Sequence, residues 1–155
     1  MKLIASFLIL TLVVACAKRP DMVRNNFRSN AHACLTEAIY FEARGTSRKG
    51  QRAVGEVILN RVSDQRFPSS VCSVVDERSR SGACQFSYRC DGRSEEFGNQ
   101  SDLAIAKSIA RELLTDRGRD ITKGALFFHA ASMAPGWFGT LRKHGKFGGN
   151  IFYSR

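Results

Sequence analysis

The sequence has no apolar run of the ~20 residues that a bilayer-spanning helix needs. It also has no C-x2-C pair, no internal repeat, no low-complexity tract and only one tryptophan. Each absence removes a class. A chain without a spanning segment does not read as a helical membrane protein. Without close cysteine pairs a zinc site is disfavoured, because 37, 11 and 5 residues separate Cys34, Cys72, Cys84 and Cys90 in turn. Acidic residues are few, with 14 Asp and Glu against 24 Lys and Arg, which leaves a formal net charge of +10 over 155 residues. That imbalance favours a polyanion: nucleic acid, an anionic lipid surface or an acidic polysaccharide. No nucleic-acid recognition motif is present, which sets the first of these aside. Nothing points to a cofactor or a metal.

What is present begins at the N-terminus. Met1-Lys2 is a short basic start, and Leu3 to Ala15 is apolar except for Ser6 and Thr11. This is the length of the hydrophobic region of a secretory signal, and it has no polar face of the kind a surface helix shows. The run ends in Val13-Val14-Ala15-Cys16, which resembles a bacterial lipoprotein box. Residues 1–15 are therefore expected to be a signal peptide and Cys16 a lipidated first residue, anchoring an exported, periplasmic protein to the membrane. Simple cleavage after Ala17 is the alternative, since Ala15-Cys16-Ala17 also fits the small-x-small rule. Residues 16–31 are polar and basic with no hydrophobic period, and are expected to form a tether. The four remaining cysteines are even in number and exported, so two disulfides are expected, with three possible connectivities. A tight loop closed by Cys84–Cys90 would leave Cys34–Cys72.

One domain is expected over residues 32–155. Leu35, Ala38, Ile39 and Glu42 fall at i, i+3, i+4 and i+7, which predicts a helix over 33–44 stopped by Gly45. A second helix is expected over 49–63, with Val54, Val57, Ile58 and Val62 inward and Arg52, Glu56 and Asn60 outward. Pro68 opens a short turn carrying Val71, Val74 and Val75. Residues 78–100 are rich in Ser, Gly, Arg and Cys, with Gln85–Tyr88 as a strand-like run in a small disulfide-bearing β lobe. A third helix over 102–115 follows, capped by Ser101. The sum is a mainly helical α+β domain.

Glu42 is the unusual member of the first helix. It shares the apolar stripe, and burial disfavours its charged form. It also lies in the last helical turn, where exposed carbonyls oppose a carboxylate. A carboxyl kept protonated near neutrality is what a glycosidase uses to protonate a leaving oxygen. A carboxylate paired with a core arginine, Arg61 for example, would give the same pattern.

The wider string is more specific. Residues 34–45 with Glu42-Ala43-Arg44-Gly45, residues 50–62 with Ala53-Val54 and Val57–Val62, and Arg66-Phe67-Pro68 closely resemble the SleB/CwlJ family of bacterial cell-wall hydrolases. The likeness continues through Gln85-Phe86-Ser87, Cys90-Asp91-Gly92 and Gly124–Ala130, and covers about residues 33–155. It implies a lysozyme-like fold and action on the glycan strands of peptidoglycan, with Glu42 at the family's catalytic position. Many relatives carry a second Glu after the glycine, where this chain has Thr46. Asp91 is the first choice for a second carboxylate, with an Asp-Gly turn as its alternative. A lytic transglycosylase would need none, since the sugar's own 6-hydroxyl attacks. Gln85, Phe86, Ser87, His129 and Trp137 are candidate sugar-groove residues, as flat faces and planar hydrogen-bonders. Glu77, Glu95 and Glu96 lie in polar segments and are expected to be solvated. Two other classes remain. One is a non-catalytic peptidoglycan-binding lipoprotein. The other is a cysteine hydrolase, which the pairing of the cysteines opposes.

Overall fold

The computed structural model describes the backbone of residues 20–133 and 136–155, and the side chains of these except 20–29 and Trp137. The apolar run at 3–15 and Cys16 lie outside the described residues. Among the described residues no helix is long and apolar enough to cross a membrane.

The chain runs through α1 (Pro20–Ala43), α2 (Arg48–Val62), α3 (Val71–Val75) and α4 (Gln100–Thr115), then β1 (Phe127–Ala130), β2 (Arg142–Phe147) and β3 (Asn150–Ser154). Helix α1 starts earlier than its apolar period suggests. Residues 20–31, which fall within the expected tether, are helical. The stripe of Leu35, Ala38 and Ile39 is fully buried and meets α2, α3 and α4. Val71, Val74 and Val75 point inward from α3, as their spacing predicts. The cap of α4 is Asn99, whose side chain accepts from Asp102 N at 3.1 Å, and not Ser101, which lies inside the helix.

The sheet is antiparallel with order β1-β3-β2, and it comes from the C-terminal part of the chain. The α+β class holds, but the strands lie elsewhere than the expected lobe. Residues 78–99 contribute an isolated bridge between Arg78 and Cys84 and a 3-10 turn over Ser87–Arg89. The run Gln85–Tyr88 has no neighbouring strand to pair with, so its extended propensity goes unused. The sheet docks on α2 at two glycines. A Cβ built on Gly50 would stand 2.4 Å from Gly148 Cα, so side chains at either position would force the β2–β3 turn off the helix. Phe152, fully buried, joins Ala53, Val54 and Val57 in the core beneath this contact.

The outward face expected for α2 is instead covered. Glu56 is fully buried, and its Oε2 accepts from the backbone N–H of Ile121 (2.9 Å) and Thr122 (3.2 Å). Asn60 Nδ2 donates to Asp120, Thr122 and the Ala125 carbonyl. Residues 117–125 fold back over α2 and use its polar side chains for their own backbone groups. Periodicity along one helix carries no signal of a loop about 60 residues away.

Candidate active site

Helix α1 delivers Glu42 to a cleft, and the chain then turns sharply. Gly45 adopts φ +74°, a left-handed conformation that glycine accepts readily, and Thr46 N donates to the Ala43 carbonyl at 3.1 Å. The Thr46 hydroxyl donates to the same carbonyl at 2.7 Å, so Thr46 closes the helix end. The cleft has a volume of about 230 Å³ and is lined by Phe41, Glu42, Ser87, Tyr88, Asp91 and Glu95 among others.

Glu42 is half-buried. Desolvation raises its pKa to about 7, and the positive charge of Arg61 opposes that rise only in part. The carboxyl is thus largely protonated just below neutrality and can both give a proton and take one back. Arg61 lies beneath it, 2% exposed, with Nε donating to the Leu126 carbonyl at 2.9 Å. Its guanidinium sits over the rings of Phe67 (5.2 Å) and Phe86 (5.5 Å). The proposed pairing of Glu42 with a core arginine is therefore partly realised, as an electrostatic influence that burial outweighs.

The opposite wall is the irregular lobe. The Cys84–Cys90 disulfide closes it, and the Cys34–Cys72 disulfide ties α1 to α3. With all four cysteines paired, the domain offers no thiolate nucleophile. Arg89 fastens the lobe to the helices. Its Nη1 donates to Glu37 (3.0 Å) and Glu95 (2.6 Å), and its Nη2 to Asp76 (2.6 Å). Phe41 stacks on Tyr88 at 4.8 Å and on Phe97 at 5.7 Å, and Tyr40 Oη accepts from Asn99 N at 2.9 Å. These contacts, and not a sheet, hold the wall against the helices.

The structure sorts the sequence-derived candidates. Ser87 and Asp91 share the cleft with Glu42. Asp91 is exposed, and its Oδ1 accepts from Arg93 N at 2.9 Å, so the Asp-Gly turn and the cleft position are both realised. Gln85 is exposed but does not line the cleft. Phe86 is corrected from groove to core: it is 1% exposed and packs beneath Arg61, because the lobe folds inward at that residue. Glu77, expected to be solvated, has a buried Oε2 with no hydrogen-bond partner. Phe41, Tyr88 and Arg89 were not anticipated, although Phe41 and the basic residue inside the short Cys84–Cys90 loop stand beside residues that were.

His129 lies apart from Glu42. Its Nε2 pairs with Tyr153 Oη at 3.0 Å and its ring lies 4.3 Å from that of Phe138. It lines a separate open cavity of about 610 Å³ with Met133, Leu141 and Tyr153. The side chain of Trp137 lies outside the described residues.

The sequence model of the cell wall hydrolase family matches residues 45–153, a span that begins just after Glu42. The spore cortex-lytic enzyme of Bacillus subtilis (strain 168) is 33% identical over 120 residues, which are 74% of this chain and 35% of that protein. The chain thus spans about a third of that relative's length. Among solved structures, the catalytic domain of the Bacillus cereus SleB protein superposes with a TM-score of 0.62 at 30% identity, covering 81% of this chain and 91% of that domain. The catalytic domain of the germination-specific lytic transglycosylase SleB from Bacillus anthracis gives 0.65 at 32%, covering 81% and 94%. The α+β, lysozyme-like class expected from the sequence is the class these domains share with it.

Proposed function

The chain belongs to the cell wall hydrolase family, and from that premise we propose that it cleaves the glycan strands of peptidoglycan as a lytic transglycosylase, with Glu42 as its acid and then its base. Glu42 gives its proton to the bridging oxygen between MurNAc and GlcNAc, and the bond from that oxygen to MurNAc C1 breaks. The 6-hydroxyl oxygen of the same MurNAc bonds to C1. Its proton passes to the Glu42 carboxylate, which restores the acid and leaves a 1,6-anhydro end. No water is consumed.

The single observation that carries this reading is the desolvated carboxyl of Glu42 in the cleft, with a pKa of about 7 that suits both proton transfers. The exposure of Asp91 and its engagement in a turn favour a route that uses one carboxylate. A solved relative named as a lytic transglycosylase agrees with that choice. Ser87, Tyr88 and Phe41 supply a hydroxyl and two rings for the sugar. The proposed address of the enzyme is the periplasm, reached through residues 1–15 and held by an acylated Cys16.

Mass spectrometry of peptidoglycan digested by the purified protein tests the reaction type. Muropeptides with 1,6-anhydro ends are expected. Reducing MurNAc ends would replace this route with hydrolysis, in which Asp91 would serve as the second carboxylate. Sacculi that bind the protein and release nothing would favour a non-catalytic binding role.

A further inference from the structure

The sheet turns one face to α2 and the other away from it. Phe128 and Phe152 stack at 5.6 Å on the inner face, where Phe152 meets Ala53, Val54 and Val57. Strand alternation puts their neighbours His129, Ile151 and Tyr153 on the outer face. These three line the open cavity of about 610 Å³ together with Met133, Phe138 and Leu141, and none of the six lines the Glu42 cleft. The paired positions of Tyr153 and Ile151 on the edge strand β2 are Lys143 and Lys146, so two lysines stand along one margin of the cavity. Both are exposed, and among the described residues neither is in an ion pair. The charge around them is one-sided. Residues 121–155 hold five Lys and Arg and no Asp or Glu. Asp120, the acid next to that stretch, accepts from Asn60, Thr122 and Gly124 and lies 3.6 Å from Arg117.

An aromatic and aliphatic floor with cations at its margin fits a small acidic ligand that carries apolar side groups. We propose that the outer face of the sheet binds the peptide stems of peptidoglycan, an acidic peptide with small apolar side chains, while the Glu42 cleft takes the sugars. The proposal rests on the reading that the chain acts on peptidoglycan. Stems branch from MurNAc, so a strand seated in a cleft of about 230 Å³ leaves its stems outside it. Alanine methyl groups suit the floor of Ile151, Leu141 and Phe138, and stem carboxylates suit Lys143 and Lys146. An anionic membrane would use the lysines but not the cavity, which favours the peptide.

The test is a titration of the ¹⁵N-labelled protein with the free tetrapeptide stem Ala-γ-Glu-diaminopimelate-Ala, followed by NMR. Amide shifts should concentrate on β2, on β3 and around His129. The Lys143→Gln, Lys146→Gln double variant should bind about ten-fold more weakly. Lys107→Gln with Arg111→Gln removes the same net charge from the exposed side of α4 and should bind like the parent. In release assays, the sheet variant should need about ten-fold more intact sacculi for half-maximal rate and keep the maximal rate. On glycan stripped of stems by an amidase it should match the parent. Circular dichroism controls for folding. No amide shifts on the sheet, an unchanged affinity in the sheet variant, an equal loss in the α4 variant, or an equal defect on stripped glycan overturns the proposal. So does lysine-dependent binding to phosphatidylglycerol vesicles without peptide binding, which would make the face a membrane contact. The titration needs no turnover. An active Glu42→Gln therefore removes the reading of the cleft alone, whereas an inactive Glu42→Gln with a silent titration removes only this inference.

Discussion

At the scale of single residues, Glu42 was legible because its period and its chemistry disagree. A carboxylate in register with Leu35, Ala38 and Ile39 has few uses except pairing or proton transfer. Arg61 was legible for the same reason, as a charge on a valine stripe. Glu56, Glu77 and Phe86 were misplaced because long-range neighbours decide their burial: the 117–125 loop, the lobe and Arg61 itself. A raised carboxyl pKa has a consequence for stability. Taking the ordinary 4.5 for the unfolded chain and about 7 for the fold, the folded state binds more protons between these values. Stability from this group is therefore fully retained below pH 4.5 and is lost as pH rises toward 7. Glu42→Gln should remove that loss. Its melting temperature should match the parent's at pH 4 and exceed it at pH 8, by an amount corresponding to about 3 kcal/mol. Equal melting curves at both pH values would mean that Glu42 is not desolvated.

At the scale of elements, helices α2 and α4 and the short α3 followed from apolar spacing and breakers, because those signals are local, although α3 opens at its cap Ser70 and not at Pro68. The sheet did not follow. Its strands pair Phe127–Ala130 with Asn150–Tyr153, and no short-range pattern in Gly124–Ala130 fixes such a partner. The polar face of α2 is the clearest case of structure hidden from periodicity. Arg52 Nε donates to Glu56 Oε1 at 3.0 Å and its Nη2 donates to the Arg117 carbonyl, while Arg117 Nη2 donates to Asn60 Oδ1. Glu56 thus joins a helix, an arginine and two backbone N–H groups. Glu56→Ala would strand all of these and should destabilise the fold by about 3 kcal/mol. Urea unfolding reads this directly. A loss under 1 kcal/mol would mean that residues 117–125 are held by something other than α2.

At the scale of the whole molecule, the excess of basic residues and the N-terminal segment make predictions independent of the cleft. A net charge of +10 predicts that binding to sacculi weakens steeply with salt, by about ten-fold or more between 50 and 500 mM, because exposed charges are screened over a Debye length. Co-sedimentation at fixed pH measures this, and salt-independent binding would place recognition in uncharged contacts. The segment around Cys16 predicts partition of the mature protein into detergent and acyl mass on residue 16. Soluble material beginning at Lys18 would refute lipidation while leaving export in place.

The central claim is that Glu42 moves the proton in glycan cleavage. The most direct measurement is muropeptide release from purified sacculis by parent and Glu42→Gln at pH 6, with circular dichroism and sacculus co-sedimentation on the same samples. The amide preserves shape and hydrogen bonding but cannot donate the proton. The variant should fold, bind the sacculi and lose about 10²- to 10⁴-fold in release rate. A folded, binding-competent Glu42→Gln that releases muropeptides at close to the parental rate would contradict the account.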